Sequence, residues 1–193
     1  MKQRLVSADR FYDDPYSFRK QALAAEYSGN ISTASYLTEE AMAKFSHMAQ
    51  ANLEPVADSL SGHFVKTLAD TEIKPVNAIP LADWVGLVYL TLPTQAEGSP
   101  ALSLYTHKKT GLESVPTDIE FRLGNWTCLD EILEGFVGVD GLNESAWTTW
   151  YTLYQRWNRV ILFDARCWHQ ELQGFGDTIN NCRLYQLFYL RNR

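Results

Sequence analysis

Five short segments decide what this chain can fold into. They read HFVKTL, WVGLVYLTL, ALSLYT, RVILFD and RLYQLFYL, and all lie between His63 and Leu190. Each is rich in Val, Leu, Tyr or Phe and is bounded by Gly, Pro, Asn or Asp, the pattern of β-strands. The longest near-apolar one, WVGLVYLTL, is too short to cross a bilayer as a helix. Many short strands closing over one core predict a jelly-roll or cupin-like barrel.

The front of the chain reads differently. Asp14 and Pro15 form a helix start, and Phe18, Ala22 and Ala25 recur at helical spacing, predicting a helix from Pro15 to about Tyr27. SGNISTAS then reads as a loop. Thr38 caps a second helix, with Glu39 and Glu40 in its first turn, running to about Asn52. Later, NESAWTTWYTLYQRW opens as a helix capped by Asn143 and ends as a strand. The expected class is α+β, mainly β. One domain spans residues 1–193, with 1–60 mostly helical and packed outside a barrel formed by 61–193.

Composition sets the function classes. With 193 residues, 46% of them apolar, the chain can bury a core without staples. A net charge of −6 argues against a non-specific nucleic-acid binder, which needs cations to displace counterions from phosphate. The three cysteines, Cys128, Cys167 and Cys182, form no CxxC pair, so they read as reduced, buried thiols of a cytoplasmic protein. The first residues, MKQRLVSADRFYDD, contain no apolar signal-peptide core, and no membrane association is expected.

Four histidines are the candidates for metal chemistry. His47 lies within the second helix and His63 opens a strand; neither has a ligand set near it in sequence. His169 follows the end of RVILFD, where side chains reach a barrel mouth, and Arg183 opens the next strand. Two histidines and a carboxylate on one face can hold Fe(II) with open positions, and an arginine can clamp a carboxylate bidentately. On spacing alone, His169 reads equally well as a packed core histidine. Asp164 reads as a turn residue more readily than as a group orienting His169. His169-Gln170-Glu171 has the HxE spacing of a metal pair, but no later histidine follows to complete it.

Four pieces in order resemble a known family. FYDDPYSFRKQALAAEY, IPLADWVGLVYL, ALSLYTHKKTGLE, and NRVILFDARCWH followed by RLYQLFYL are similar to the small bacterial 2-oxoglutarate/Fe(II) oxygenase-like proteins. The resemblance covers most of the chain and implies a double-stranded β-helix of the prolyl-hydroxylase type. It implies Fe(II) and 2-oxoglutarate as cofactors, and oxidation of a small-molecule or peptide side-chain substrate. By the same resemblance His169 matches the distal metal histidine, Asp83 the carboxylate ligand, and Arg183 the arginine that binds 2-oxoglutarate. Residues on loops, chiefly Gln95–Pro100 and Leu112–Gly141, would read the substrate. Oligomeric state stays open.

One departure stands out. The family's proximal motif is Pro-His-x-Asp, whereas this chain has Pro80-Leu81-Ala82-Asp83, and leucine binds no metal. Residues i and i+2 of a strand share a face, so Leu81 and Asp83 would look into the site together. Two rescues follow: His107 supplies the second imidazole, or the register shifts and Asn77 takes the histidine's place, a better donor for hard cations than for Fe(II). Without either, the alternative is a degenerate, non-catalytic barrel that binds a ligand or serves as a structural jelly-roll protein. In the structural case, Asp83, His107 and His169 would be scattered rather than convergent.

Overall fold

The computed structural model describes residues 4–96, 98–116 and 128–193. Glu97 and residues 117–127, within the two loops expected to read a substrate, lie outside the described residues. Among the described residues no helix is long and apolar enough to cross a membrane.

The five predicted strands all form: β5 (His63–Thr67), β6 (Trp84–Tyr89), β7 (Pro100–His107), β9 (Arg159–Asp164) and β11 (Arg183–Asn192). They are joined by β1 (Leu5–Asp9), β2 (Tyr27–Ser28), β3 (Ile31–Ser35), β4 (Leu53–Pro55), β8 (Trp147–Tyr154) and β10 (His169–Glu171). The larger sheet runs β1-β9-β6-β11-β5-β3-β2, with β4 also paired to β11, and the smaller runs β10-β7-β8. Every pairing is antiparallel. The two sheets face each other as a double-stranded β-helix, with helices outside.

Two helices match their caps. α1 (Pro15–Ala24) starts where the Asp14 carboxylate accepts the Ser17 N–H, and α2 (Glu39–Ala49) starts where the Thr38 hydroxyl accepts the Ala41 N–H. Both end about three residues earlier than periodicity suggests. After α1 the chain turns directly into the β2–β3 hairpin, so SGNISTAS contributes strand rather than loop. Residues 5–55 thus alternate helices with strands β1 to β4, and the first third is not mostly helical. Asn143 caps only a three-residue 3₁₀ turn, Glu144–Ala146, before β8 begins. The β-branched and aromatic run WTTWYTLY favours extended backbone.

The core has three parts. One lies between the large sheet and the helices, where Phe11, Phe45, Phe64 and Phe188 meet. A Cβ at Gly86 would come within 2.7 Å of the Phe45 ring, so α2 can seat on β6 only because residue 86 is glycine. A second part fills the space between the sheets with Val85, Leu87, Leu102, Leu104, Phe163 and Leu187. The third covers the outer face of the small sheet, where Trp147 and Trp168 pack under Ile132 and Phe136.

One buried polar link ties these layers. Gln186 is fully buried, donates to the Tyr36 and Gly62 carbonyls at 3.0 and 2.9 Å, and accepts from the Tyr12 hydroxyl at 2.6 Å. All its polar atoms are satisfied, so the amide is tolerated in an apolar core. The cysteines are free; Cys167 and Cys182 are buried as expected, but Cys128 is exposed.

Candidate functional site

The turn after β9 sets the position of His169. The Asp164 carboxylate accepts the Arg166 N–H at 3.0 Å, and Cys167 N–H donates to the Asp164 carbonyl at 3.0 Å. Asp164 is therefore a turn residue. Side chains alternate along the following segment: Trp168 enters the outer cluster, whereas His169 turns between the sheets with its ring 4.9 Å from Phe163. His169 Nδ1–H donates to the Cys167 carbonyl at 2.9 Å, which leaves Nε2 as the unprotonated nitrogen. Burial lowers the imidazole pKa to about 4, so the ring is neutral at ordinary pH.

A second ligand would have to stand beside that imidazole. Across from His169 on one side is Asn77, and the pair exchange both backbone hydrogen bonds at 2.9 Å. On the other side, within the small sheet, is Leu104. Directly opposed residues of an antiparallel pair share a face, so Asn77 and Leu104 flank His169. Two residues beyond Asn77 is Ile79, packed against the inter-sheet core. In this pairing the residue opposite His169 carries an amide, and the residue two further on is an isoleucine. The Asn77 side-chain oxygen is already engaged by the Ala78 N–H at 2.8 Å.

The other expected ligands are elsewhere. Asp83 lies just before β6, where its carboxylate accepts the Asn192 N–H at 2.8 Å and so fastens the end of β11. Leu81 does not share its face; it sits in the loop before β6 and is 84% exposed. The i and i+2 rule fails there because residues 80–83 are not strand. His107 is buried on the outer side of the small sheet, with Phe136 and Trp147 at 4.5 and 4.9 Å. Its two nitrogens meet Thr110 Oγ1 at 3.0 Å and Asp140 Oδ2 at 3.2 Å. Asp83, His107 and His169 do not converge, and no cluster of three metal-binding side chains occurs among the described residues.

Arg183 is where the sequence puts it, at the start of β11, and it is 2% exposed. Its Nε donates to Gln155 Oε1 at 3.1 Å and one terminal nitrogen to the Pro100 carbonyl at 2.7 Å; the other donates to the Leu172 carbonyl. The Phe175 ring lies 5.6 Å from the guanidinium carbon. All three nitrogens are committed to protein acceptors that tie β11 to β7 and to the segment after β10. The arginine works as a strut between the sheets. The donor set does not fit a two-histidine, one-carboxylate iron centre with a free arginine fork for 2-oxoglutarate.

The inter-sheet space nonetheless holds polar groups that sequence reasoning set aside. Glu171 shares a face with His169, two residues along β10. Its carboxylate accepts the Tyr185 hydroxyl. Tyr89 pairs with Tyr185 across β6 and β11, with ring centroids 5.8 Å apart. Burial and then the Glu171 charge raise the Tyr185 pKa well above that of a free phenol, and the same two causes push Tyr189 up to about 12. These phenols are donors, not bases. The HxE spacing was the available signal for Glu171, once His169 was known to face inward.

Two cavities open on this space. One, of about 150 Å³, lies between β5 and β10 and includes Glu171 and Tyr185. The other, of about 260 Å³, is bordered by Val56, Leu60, Ile79, Leu81 and Tyr189 at the opposite end.

No family model matches the chain, and no curated protein matches it in sequence. Solved structures do match. HygX from Streptomyces hygroscopicus with nickel, 2-oxoglutarate and hygromycin B bound is similar with a TM-score of 0.56 and 13% identity, over 99% of this chain and 84% of that one. HygX with iron bound gives 0.55 and 12%, over 99% and 83%. At such identities the likeness shows the fold alone: this chain shares the mainly β, double-stranded β-helix architecture of HygX.

Proposed function

We propose that this protein is a non-catalytic relative of the 2-oxoglutarate/Fe(II) oxygenase fold, using its barrel to bind a small molecule. One observation carries the reading: the residues paired across from His169 are Asn77 and Leu104, with Ile79 next in line, and among the described residues no second imidazole or metal-binding group of three gathers around that ring. Fe(II) and 2-oxoglutarate, were they bound, would supply oxidative chemistry. Asn77 is a poor ligand for Fe(II), and Ile79 is none. The engagement of Arg183 supports the same reading, because each of its three nitrogens already donates to a protein acceptor and a co-substrate carboxylate would have to share or compete for them.

The catalytic reading keeps one observation in its favour, the likeness to HygX, which has been seen with nickel, 2-oxoglutarate and hygromycin B bound. Fold alone does not carry activity. The discriminating assay is release of CO₂ from carboxyl-labelled 2-oxoglutarate with Fe(II), ascorbate and O₂. No release above the protein-free blank is expected. Protein-dependent release that disappears in His169→Ala would establish the oxygenase instead.

A further inference from the structure

We propose that the cavity between β5 and β10 is a binding site for a small alkylammonium ligand, held on the Glu171 carboxylate. The inference rests on the reading of the chain as a ligand-binding barrel. Ile31, Val65 and Ile73 supply apolar wall, and Thr67, Glu171 and Tyr185 are among the polar residues of the lining, which also include Asn30, Thr71 and Gln173. A hydrocarbon stem with one polar head matches that division, because sites of this kind combine apolar lining with a few placed polar groups.

Charge chooses the head. Three ionisable side chains of Glu or Lys type border the cavity: Glu171, Glu72 and Lys74. Glu72 and Lys74 offset each other, which leaves the formal charge of Glu171. An anion would have to sit beside that carboxylate, whereas an ammonium would form a charge-assisted hydrogen bond with it. Tyr185 donates to one carboxylate oxygen, Oε2, and leaves Oε1 as the acceptor for a ligand. Burial keeps the Tyr185 phenol protonated in that role.

Thr67 provides the second, independent pointer. Its Oγ1 is enclosed and has no hydrogen-bond partner among the described residues. A buried orphan hydroxyl costs stability unless something satisfies it. Thr67 lines this cavity, and a turn of its side chain toward it would let a ligand N–H or O–H do so. The volume, about 150 Å³, suits a ligand the size of benzene, roughly six non-hydrogen atoms.

The test is isothermal titration of the whole protein with three probes of one length: 4-aminobutan-1-ol, butane-1,4-diol and 4-hydroxybutyrate. Saturable binding of the amine is expected, with the diol and the acid at least tenfold weaker. Glu171→Gln should weaken the amine at least tenfold and leave the diol unchanged. Thr67→Val, which keeps the shape, serves as the second variant and should weaken the amine severalfold. No saturable amine binding up to tens of millimolar, equal binding of diol and amine, or preference for the acid would each overturn the proposal. Failure of the amine without labelled CO₂ release would sink this site alone. Fe(II)-dependent CO₂ release would sink the non-catalytic reading on which it rests.

Discussion

Asn77 and His169 stand directly opposite each other, joined by two backbone hydrogen bonds of 2.9 Å. That pairing sets one of the side chains beside His169. It is an amide whose oxygen already accepts the Ala78 N–H at 2.8 Å. It also moves the interesting positions away from the Pro80–Asp83 segment.

Leu81 does not stand beside His169. It is 84% exposed in the loop before β6. Leu81→His should leave Fe(II) affinity unchanged in anaerobic titration, and stability unchanged within about 0.5 kcal/mol, as for surface substitutions away from special features. A gain of stoichiometric Fe(II) binding would restore the register in which residue 81 faces the site.

His107 is a packing residue. His107→Ala removes its contacts with Phe136 and Trp147 and strips a partner from Thr110 and from Asp140. The expected loss in urea denaturation is roughly 2–4 kcal/mol. Ligand binding in the β5–β10 cavity should be unaffected, because the residue lies on the outer side of the small sheet.

Arg183 should behave as a strut. Arg183→Ala would leave Gln155 Oε1 and the Pro100 and Leu172 carbonyls without their donor. A cost of about 3 kcal/mol or more follows from several buried acceptors losing partners. Arg183→Lys should recover only part of it, since one ammonium cannot reach three separated acceptors as a fork does. Unchanged unfolding midpoints in both variants would contradict this role.

His169 makes stability depend on acid. Its pKa is lowered by burial to about 4 in the folded chain, against 6.5 for the free side chain. Between those values the unfolded chain binds a proton that the folded one does not, so stability falls as pH drops from about 6.5 to about 4 and levels off below. The full effect is on the order of 3 kcal/mol from this group. His169→Phe should flatten that part of the curve. An NMR titration midpoint for His169 near 6.5 would remove the basis for it.

The strands were legible because each carries β-branched and aromatic residues between turn residues. β5, β6, β7, β9 and β11 all fall on such runs. The β2–β3 hairpin was hidden: Ser28-Gly29-Asn30-Ile31-Ser32 is dominated by small polar residues, and β3 forms by pairing with β5, and β2 by pairing with β3, rather than by propensity. His169 and Arg183 could be read from their order around the last two strands. The role of Arg183 could not, since its acceptors on Pro100, Gln155 and Leu172 come from three distant parts of the chain. Asn77 was visible only as one of two registers. Sequence could not choose between them, because the choice depends on which residue pairs with His169 across strands. Glu171 and Thr67 meet only through the facing of the two sheets, which no local pattern encodes.

Under the proposed reading the barrel has the oxygenase-like fold but holds no iron centre. The most direct test is anaerobic Fe(II) titration, with 2-oxoglutarate present, of the wild-type chain, His169→Ala and the double variant Asn77→His/Ile79→Asp. Wild type and His169→Ala should show the same weak, non-stoichiometric uptake, while the double variant gains one site. Stoichiometric Fe(II) binding by the wild type that is abolished in His169→Ala would contradict the account.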